Sequence, residues 1–187
     1  MKAIVVTGTS GPDSLELRQV PDPQPGTGEA VVRIHAAGLN FADVRAAQGK
    51  YPGGPAAPFI AGREFAGIVE STGERVMGYS QHSAFAEKIA TPRALIFPAP
   101  PQWDFETAAA FPVNYLTAWL AYWKAGLVAA TLADPSPVNA SAKKRALIHA
   151  AAGGVGTAAV QIGHQLGVET FGTASSEEKL ARLKELG

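Results

Sequence analysis

The chain has 187 residues, 47% hydrophobic and 17% charged, a composition that fits a folded globular protein and argues against disorder. Lys plus Arg (16) balances Asp plus Glu (16), which removes the electrostatic case for a nucleic-acid partner or an anionic membrane surface. With no cysteine there are no disulfides, no thiolate catalysis and no Cys-ligated zinc, and His35, His82, His149 and His164 lie too far apart in sequence for the short metal-ligand spacings.

The N-terminus, Met-Lys-Ala-Ile-Val-Val-Thr, reads as a strand and lacks the apolar core of a signal peptide. Short β-branched runs separated by turn residues follow at 2–7, 15–18, 30–37, 65–71, 75–79 and 84–90, predicting a compact, mostly β domain. Pro21, Pro23 and Pro25, with Gly26 and Gly28, form an extended connection between two of these runs. A short helix is expected over 40–48 with Asn40 as its cap, and another over 105–111 that Pro112 interrupts or restarts. Apolar residues surround the helix at 113–124 almost completely, which implies burial between layers. The most apolar stretch, 115–133, carries Lys124 and Gly126, so it reads as a buried helix rather than a membrane span, and a cytoplasmic location is expected. Residues 133–141 form a loop by composition, and Lys143-Lys144-Arg145 reads as a solvated strand entry rather than a binding patch. All 14 prolines fall at or before Pro137, a shift that points to two domains.

The last third carries the most informative motif. The apolar strand 145–150 runs into Ala151-Ala152-Gly153-Gly154-Val155-Gly156, then a helix over 157–167 ended by Gly167, then a second strand over 168–173. A strand, glycine turn, helix and strand in this order form a dinucleotide-binding βαβ unit. Gly153 lets the backbone approach a pyrophosphate, Gly156 lets the helix lie close to the strand, and the free amides at the helix start face the anion, whereas Ala151 stands in the first glycine slot. At the end of the second strand, Gly172-Thr173-Ala174-Ser175-Ser176 offers no carboxylate for a ribose 2′-hydroxyl. Small hydroxyls followed by Lys179 and Arg182 suit a 2′-phosphate instead, which favours NADPH over NADH.

With these residues in view, the sequence resembles the zinc-independent medium-chain dehydrogenase/reductase superfamily in its quinone-reductase branch. The residues that carry the resemblance are Gly38-Leu39-Asn40-Phe41-Ala42-Asp43, Tyr51-Pro52, Gly62-Arg63-Glu64-Phe65-Ala66-Gly67, the run at 109–118 and 150–156. Val113-Asn114-Tyr115-Leu116-Thr117-Ala118 and 171–175 are similar to its vesicle-amine-transport-protein subgroup. The resemblance implies an α/β chain: a mostly β GroES-like catalytic domain over 1–125, then part of a Rossmann domain, a doubly wound parallel sheet, over 126–187.

The resemblance also implies zinc-free hydride transfer from NADPH to a quinone or an α,β-unsaturated carbonyl, since Arg63 stands where zinc-dependent members have a histidine. Asn40 and Tyr51 are the implied neutral donors beside the nicotinamide and acceptor. The implied cofactor contacts are Thr117, Ala150, Gly153, Gly154, Val155, Gly156, Thr173, Ser175 and Lys179. Structural roles are open to the same residues: Asn40 as a cap only, Tyr51 packing on Pro52, and Thr117 as a buried hydroxyl bonded within its helix.

Family members continue well beyond the second Rossmann strand, so an alternative is a non-catalytic interaction module or a half that needs a complementing chain. An uncovered sheet edge predicts a homo-oligomer or such a chain as partner. Between 70 and 75 the chain is shorter than the family pattern, and between 127 and 144 longer, with 127–133 expected to cover part of the exposed surface.

Overall fold

A computed structural model describes residues 1–128 and 144–187. The expected 133–141 loop, Lys143 and most of the expected 127–133 cover lie outside the described residues. The chain divides into two compact units, Met1–Val113 and Asn114–Gly187.

In the first unit, β1 (Lys2–Val6) pairs antiparallel with β2 (Leu15–Gln19) and with β4 (Phe59–Ile60). A five-stranded antiparallel sheet has the order β7-β3-β5-β6-β8, made of β7 (Lys88–Pro92), β3 (Glu29–Gly38), β5 (Glu64–Val69), β6 (Arg75–Tyr79) and β8 (Ile96–Pro98). Both faces of its central strand β5 are covered, which is why that strand reads as a continuous apolar run rather than an alternation. Phe65 and Val69 join Val32, Val76 and Ile89 in one core, while Ala66 packs on the other side with Ala108 and Ala109 of α2 (Phe105–Ala109).

The register of β3 against β5 shifts between Ile34 and Ala36, which leaves His35 as the extra residue, stacked on Phe105 at 4.4 Å. Gly67 sits opposite this bulge, where a Cβ would collide with the Arg33 carbonyl. Helix α1 (Phe41–Ala47) follows β3 directly, and Asn40 is its N-cap as expected. The strand expected at 84–90 begins later, at Lys88, because Ala84 and Phe85 serve the β1 side: Ile4 N–H donates to the Phe85 carbonyl. The two- and three-residue strands β4 and β8, flanked by prolines, went unread in the sequence.

Helix α3 (Pro112–Lys124) restarts at Pro112, the first-turn position that tolerates proline. The unit boundary falls after Val113 rather than at the expected 125, because the body of α3 packs in the second unit. Ala118 and Tyr122 share a core with Ala158, Ala159 and Val168, and the Tyr122 hydroxyl donates to the Ala159 carbonyl at 2.9 Å.

The rest of that unit is β9 (Arg145–Ile148), α4 (Gly154–Gln165), β10 (Glu169–Gly172) and α5 (Glu177–Leu186), with β9 and β10 parallel. This is the βαβ core of a partial Rossmann domain, and together with the GroES-like β unit it makes the chain α/β. The basic cluster is used structurally where it is described: Lys144 donates to the Leu127 carbonyl and Arg145 pairs with Glu169 at 2.9 Å. Among the described residues, no helix is long and apolar enough to cross a membrane.

Because the Gly67 Cα faces backbone that cannot move without opening the β3–β5 ladder, G67A is expected to cost about 3 kcal/mol. Thermal unfolding checks this, and an unchanged midpoint would contradict it.

Candidate functional site

In the first unit the site grows from one buried carboxylate. Glu64 opens β5 opposite Gly38 and is 1% exposed. Its Oε2 accepts the Val113 N–H at 2.8 Å, and its Oε1 accepts from Asn40 Nδ2, also at 2.8 Å. A Cβ on Gly38 would overlap this carboxylate, so the glycine makes the space. The Asn40 N–H donates to Asp43 Oδ2 at 2.8 Å, which is one half of a capping box at the start of α1. Asn40 is therefore both a cap and the partner of a buried acid.

Asp43 and Arg63 are a second buried pair, with Arg63 Nε 3.8 Å from Asp43 Oδ1, too long for a hydrogen bond. That Nε is left without a partner. The guanidinium lies over the Tyr51 ring, 4.0 Å from its centroid. Tyr51 thus packs on Arg63, and its hydroxyl has no protein partner among the described residues. A chain of contacts, Asn40 to Asp43 to Arg63 to Tyr51, links the two expected donors.

Burial pushes the Glu64 carboxyl above its ordinary value, against the lowering effect of the Val113 and Asn40 hydrogen bonds, and Asp43 adds to the rise. Burial raises Asp43 as well, offset by the Asn40 N–H and by Arg63. Burial and the Arg63 charge hold His82 below its usual value, and its Nδ1 lies 2.6 Å from Ser83 Oγ. Among the described residues, no three His, Asp or Glu side chains come together as a metal site would need.

In the second unit the glycine turn has the geometry its sequence demands. Gly153 is the extended N-cap of α4, and its N–H donates to the Ala150 carbonyl at 2.9 Å. The N–H groups of Gly154, Val155 and Gly156 point out of the first turn with no acceptor among the described residues. A Cβ on Gly156 would sit 2.6 Å from the Ala150 and Ala151 backbone, so this glycine sets how closely α4 approaches β9. Ala150 adopts φ 52°, a left-handed conformation uncommon for alanine, and buried Ala151 packs behind it.

Thr173 closes the turn: its Oγ1 accepts from the Ala150 N–H at 3.3 Å, and its carbonyl accepts from the Ala151 N–H. Lys179 Nζ donates to Ser175 Oγ at 3.0 Å, so the expected phosphate ligands meet at the end of β10, while Arg182 stays exposed on α5. Thr117 is exposed on α3, not a buried hydroxyl, and shares a helix face with Asn114, whose side chain lies against Gly154. A groove of about 490 Å³ is lined by Ala118, Tyr122, Ala150, Gly153, Val155 and Gly156.

These residues fit a dinucleotide: unbonded amides, a cradle that side chains would fill, and a cation with a hydroxyl where NAD sites place a carboxylate. Asn114 and Glu64 were missed as site residues in the sequence. A lone acid inside the apolar 59–69 run was the signal for Glu64.

Residues 26–82 match the alcohol dehydrogenase GroES-like domain family. The human synaptic vesicle membrane protein VAT-1 homolog is 37% identical over the whole chain, which covers 47% of that protein. The quinone oxidoreductase from Thermus thermophilus, solved also as its complex with NADPH, is 40% identical with TM-score 0.85, over the whole chain and 58% of its own. That from Pseudomonas syringae pv. Tomato is 33% identical with TM-score 0.83, over the whole chain and 56% of its own. Fold, glycine turn and these relatives together make the chain similar to the medium-chain dehydrogenases/reductases. Within that superfamily the chain is similar to quinone oxidoreductases and to VAT-1 homologs. It spans about half the length of the curated relatives it matches.

The raised Glu64 carboxyl has a consequence for stability. The folded chain holds that proton more tightly than the unfolded chain does, so its contribution is fully present below the ordinary value of 4.5 and is lost as pH rises through the raised one. The unfolding midpoint of wild type relative to E64Q is therefore expected to fall across that window. A difference independent of pH would contradict the burial argument.

Proposed function

We propose that this chain belongs to a zinc-independent reductase that uses NADPH to reduce a quinone or an α,β-unsaturated carbonyl. The observation that carries the reading is the trio of unbonded amides at Gly154, Val155 and Gly156, combined with Ser175 and Lys179 in place of a carboxylate. When bound, NADPH supplies a hydride to the acceptor. The start of α4 holds the pyrophosphate, Gly153 admits it to the backbone, and Ala150 and Thr173 shape the turn. Lys179 and Ser175 take the 2′-phosphate, and Thr117 contacts the cofactor from α3.

In the first unit Asn40 and Tyr51 serve as neutral donors to the acceptor oxygen as negative charge develops on it. The donor set beside them suits no metal: Glu64 and Asp43 are already hydrogen bonded, and Arg63 is itself a cation. No step needs one.

A second reading rests on Leu147 and Phe171. They are direct cross-strand partners in β9 and β10, and they are 63% and 52% exposed. Such an apolar pair calls for a cover, so on this reading the chain is an interaction module or a half completed by another chain or a second copy.

The lysine separates the nucleotides. K179A is expected to weaken NADPH binding about tenfold while leaving NADH binding unchanged. Calorimetric titration of both nucleotides checks this, and equal losses for the two would count against a 2′-phosphate contact. In the acceptor assay N40A and Y51F are expected to lower kcat more than they raise KM, and unchanged kinetics in both would remove their assigned roles.

A further inference from the structure

We propose that Glu64 is a positioning residue that makes Asn40 a hydrogen-bond donor, by requiring the amide nitrogen rather than the amide oxygen at the carboxylate end of that side chain. The inference rests on the reading of Asn40 as a donor to the acceptor and explains how a residue type with two faces is held to one.

The argument is an accounting of donors. The Val113 N–H can only donate, and it occupies Oε2 of Glu64 at 2.8 Å. The other oxygen, Oε1, accepts from Asn40 Nδ2 at 2.8 Å, and with Glu64 ionised the acid has no proton to give, so in that state Asn40 presents its nitrogen there. That nitrogen carries two hydrogens. One is consumed by Glu64, and the other stays available to a ligand on a half-buried residue. An Asn free to turn would offer its oxygen as often as its nitrogen.

Three neighbours keep the carboxylate from moving. Gly38 leaves the space it fills, the β3–β5 register sets Glu64 opposite Gly38, and Asp43 Oδ2 fixes the Asn40 backbone through its N–H. Burial to 1% exposure leaves the carboxylate no water to exchange partners with.

A swapped pair of substitutions tests this. In E64Q the glutamine oxygen must serve the Val113 N–H, so its NH2 faces Asn40 donor to donor unless the Asn40 amide turns over. In N40D two carboxylates meet. In N40D/E64Q the amide and the acid change places, every donor again has an acceptor, and an aspartate still caps α1. Each single variant is expected to lower the unfolding midpoint by roughly 5 °C, and the double variant to recover most of that loss.

The double variant has no donor at position 40, so it is expected to bind NADPH as wild type does while its turnover falls about a hundredfold. Losses that add in the double variant would overturn the role of Glu64 in orienting Asn40, and full turnover in a stably folded double variant would overturn the donor role. A wild-type chain that neither binds NADPH nor turns over an acceptor would sink the reductase reading instead, and the midpoint cycle would still decide the orientation.

Discussion

The contact on which the first unit's site depends is the double acceptance by the buried Glu64 carboxylate. One oxygen accepts the Val113 N–H in the first turn of α3, and the other accepts from the side chain of Asn40, the N-cap of α1. A carboxylate in this place is costly unless its oxygens are used, and both are. Two local features follow from it: the glycine at 38, without which there is no room, and the amide orientation of Asn40. The Asp43–Arg63 pair beside it extends the same constraint to Tyr51, whose ring lies on the guanidinium.

The second unit obeys a different constraint, that of close backbone approach. Gly156 lets α4 press against the Ala150 and Ala151 backbone, and the left-handed Ala150 bends the chain out of β9 so that the first turn of α4 leaves its amides unbonded. Strain at an alanine in this conformation is local, and the hydrogen bonds from the Thr173 end of β10 hold the turn in place. Further along, Ser175 and Lys179 are brought together by the N-cap at Ser176, which starts α5 so that residue 179 folds back over residue 175. The proposed anion site would therefore be built almost entirely from backbone, with one lysine adding charge.

These two constraints differ in how far they could be read in the amino-acid order. The glycine turn is local: strand, loop, helix and strand follow one another within a short stretch, so their order over 145–173 was legible, although α4 begins at Gly154 rather than 157 and both strands are shorter than expected. The Asn40 cap was legible for the same reason, since Asp43 lies one turn on. Glu64 was not, because a single acid at the head of an apolar strand looks like a strand end until the partners at 40 and 113 are brought to it across the fold. Nor was the pairing of Tyr51 with Arg63, which joins a turn to a sheet. The all-round apolar pattern of α3 implied burial between layers, but only Ala118 and Tyr122 of 113–124 are buried, against the second unit, while Leu116, Leu120 and Trp123 are exposed. Short edge strands such as β4 and β8 carry too few residues for any periodicity to register.

The central claim is that this fold delivers a hydride from NADPH to an acceptor. The most direct measurement is the mass of the product formed when an α,β-unsaturated ketone is reduced with NADPH deuterated at the transferring position of its nicotinamide. The account predicts one deuterium in the reduced ketone, at the β-carbon, with the α-proton drawn from solvent. A reduced product without the label, or no reduction by a chain shown to be folded, would contradict it.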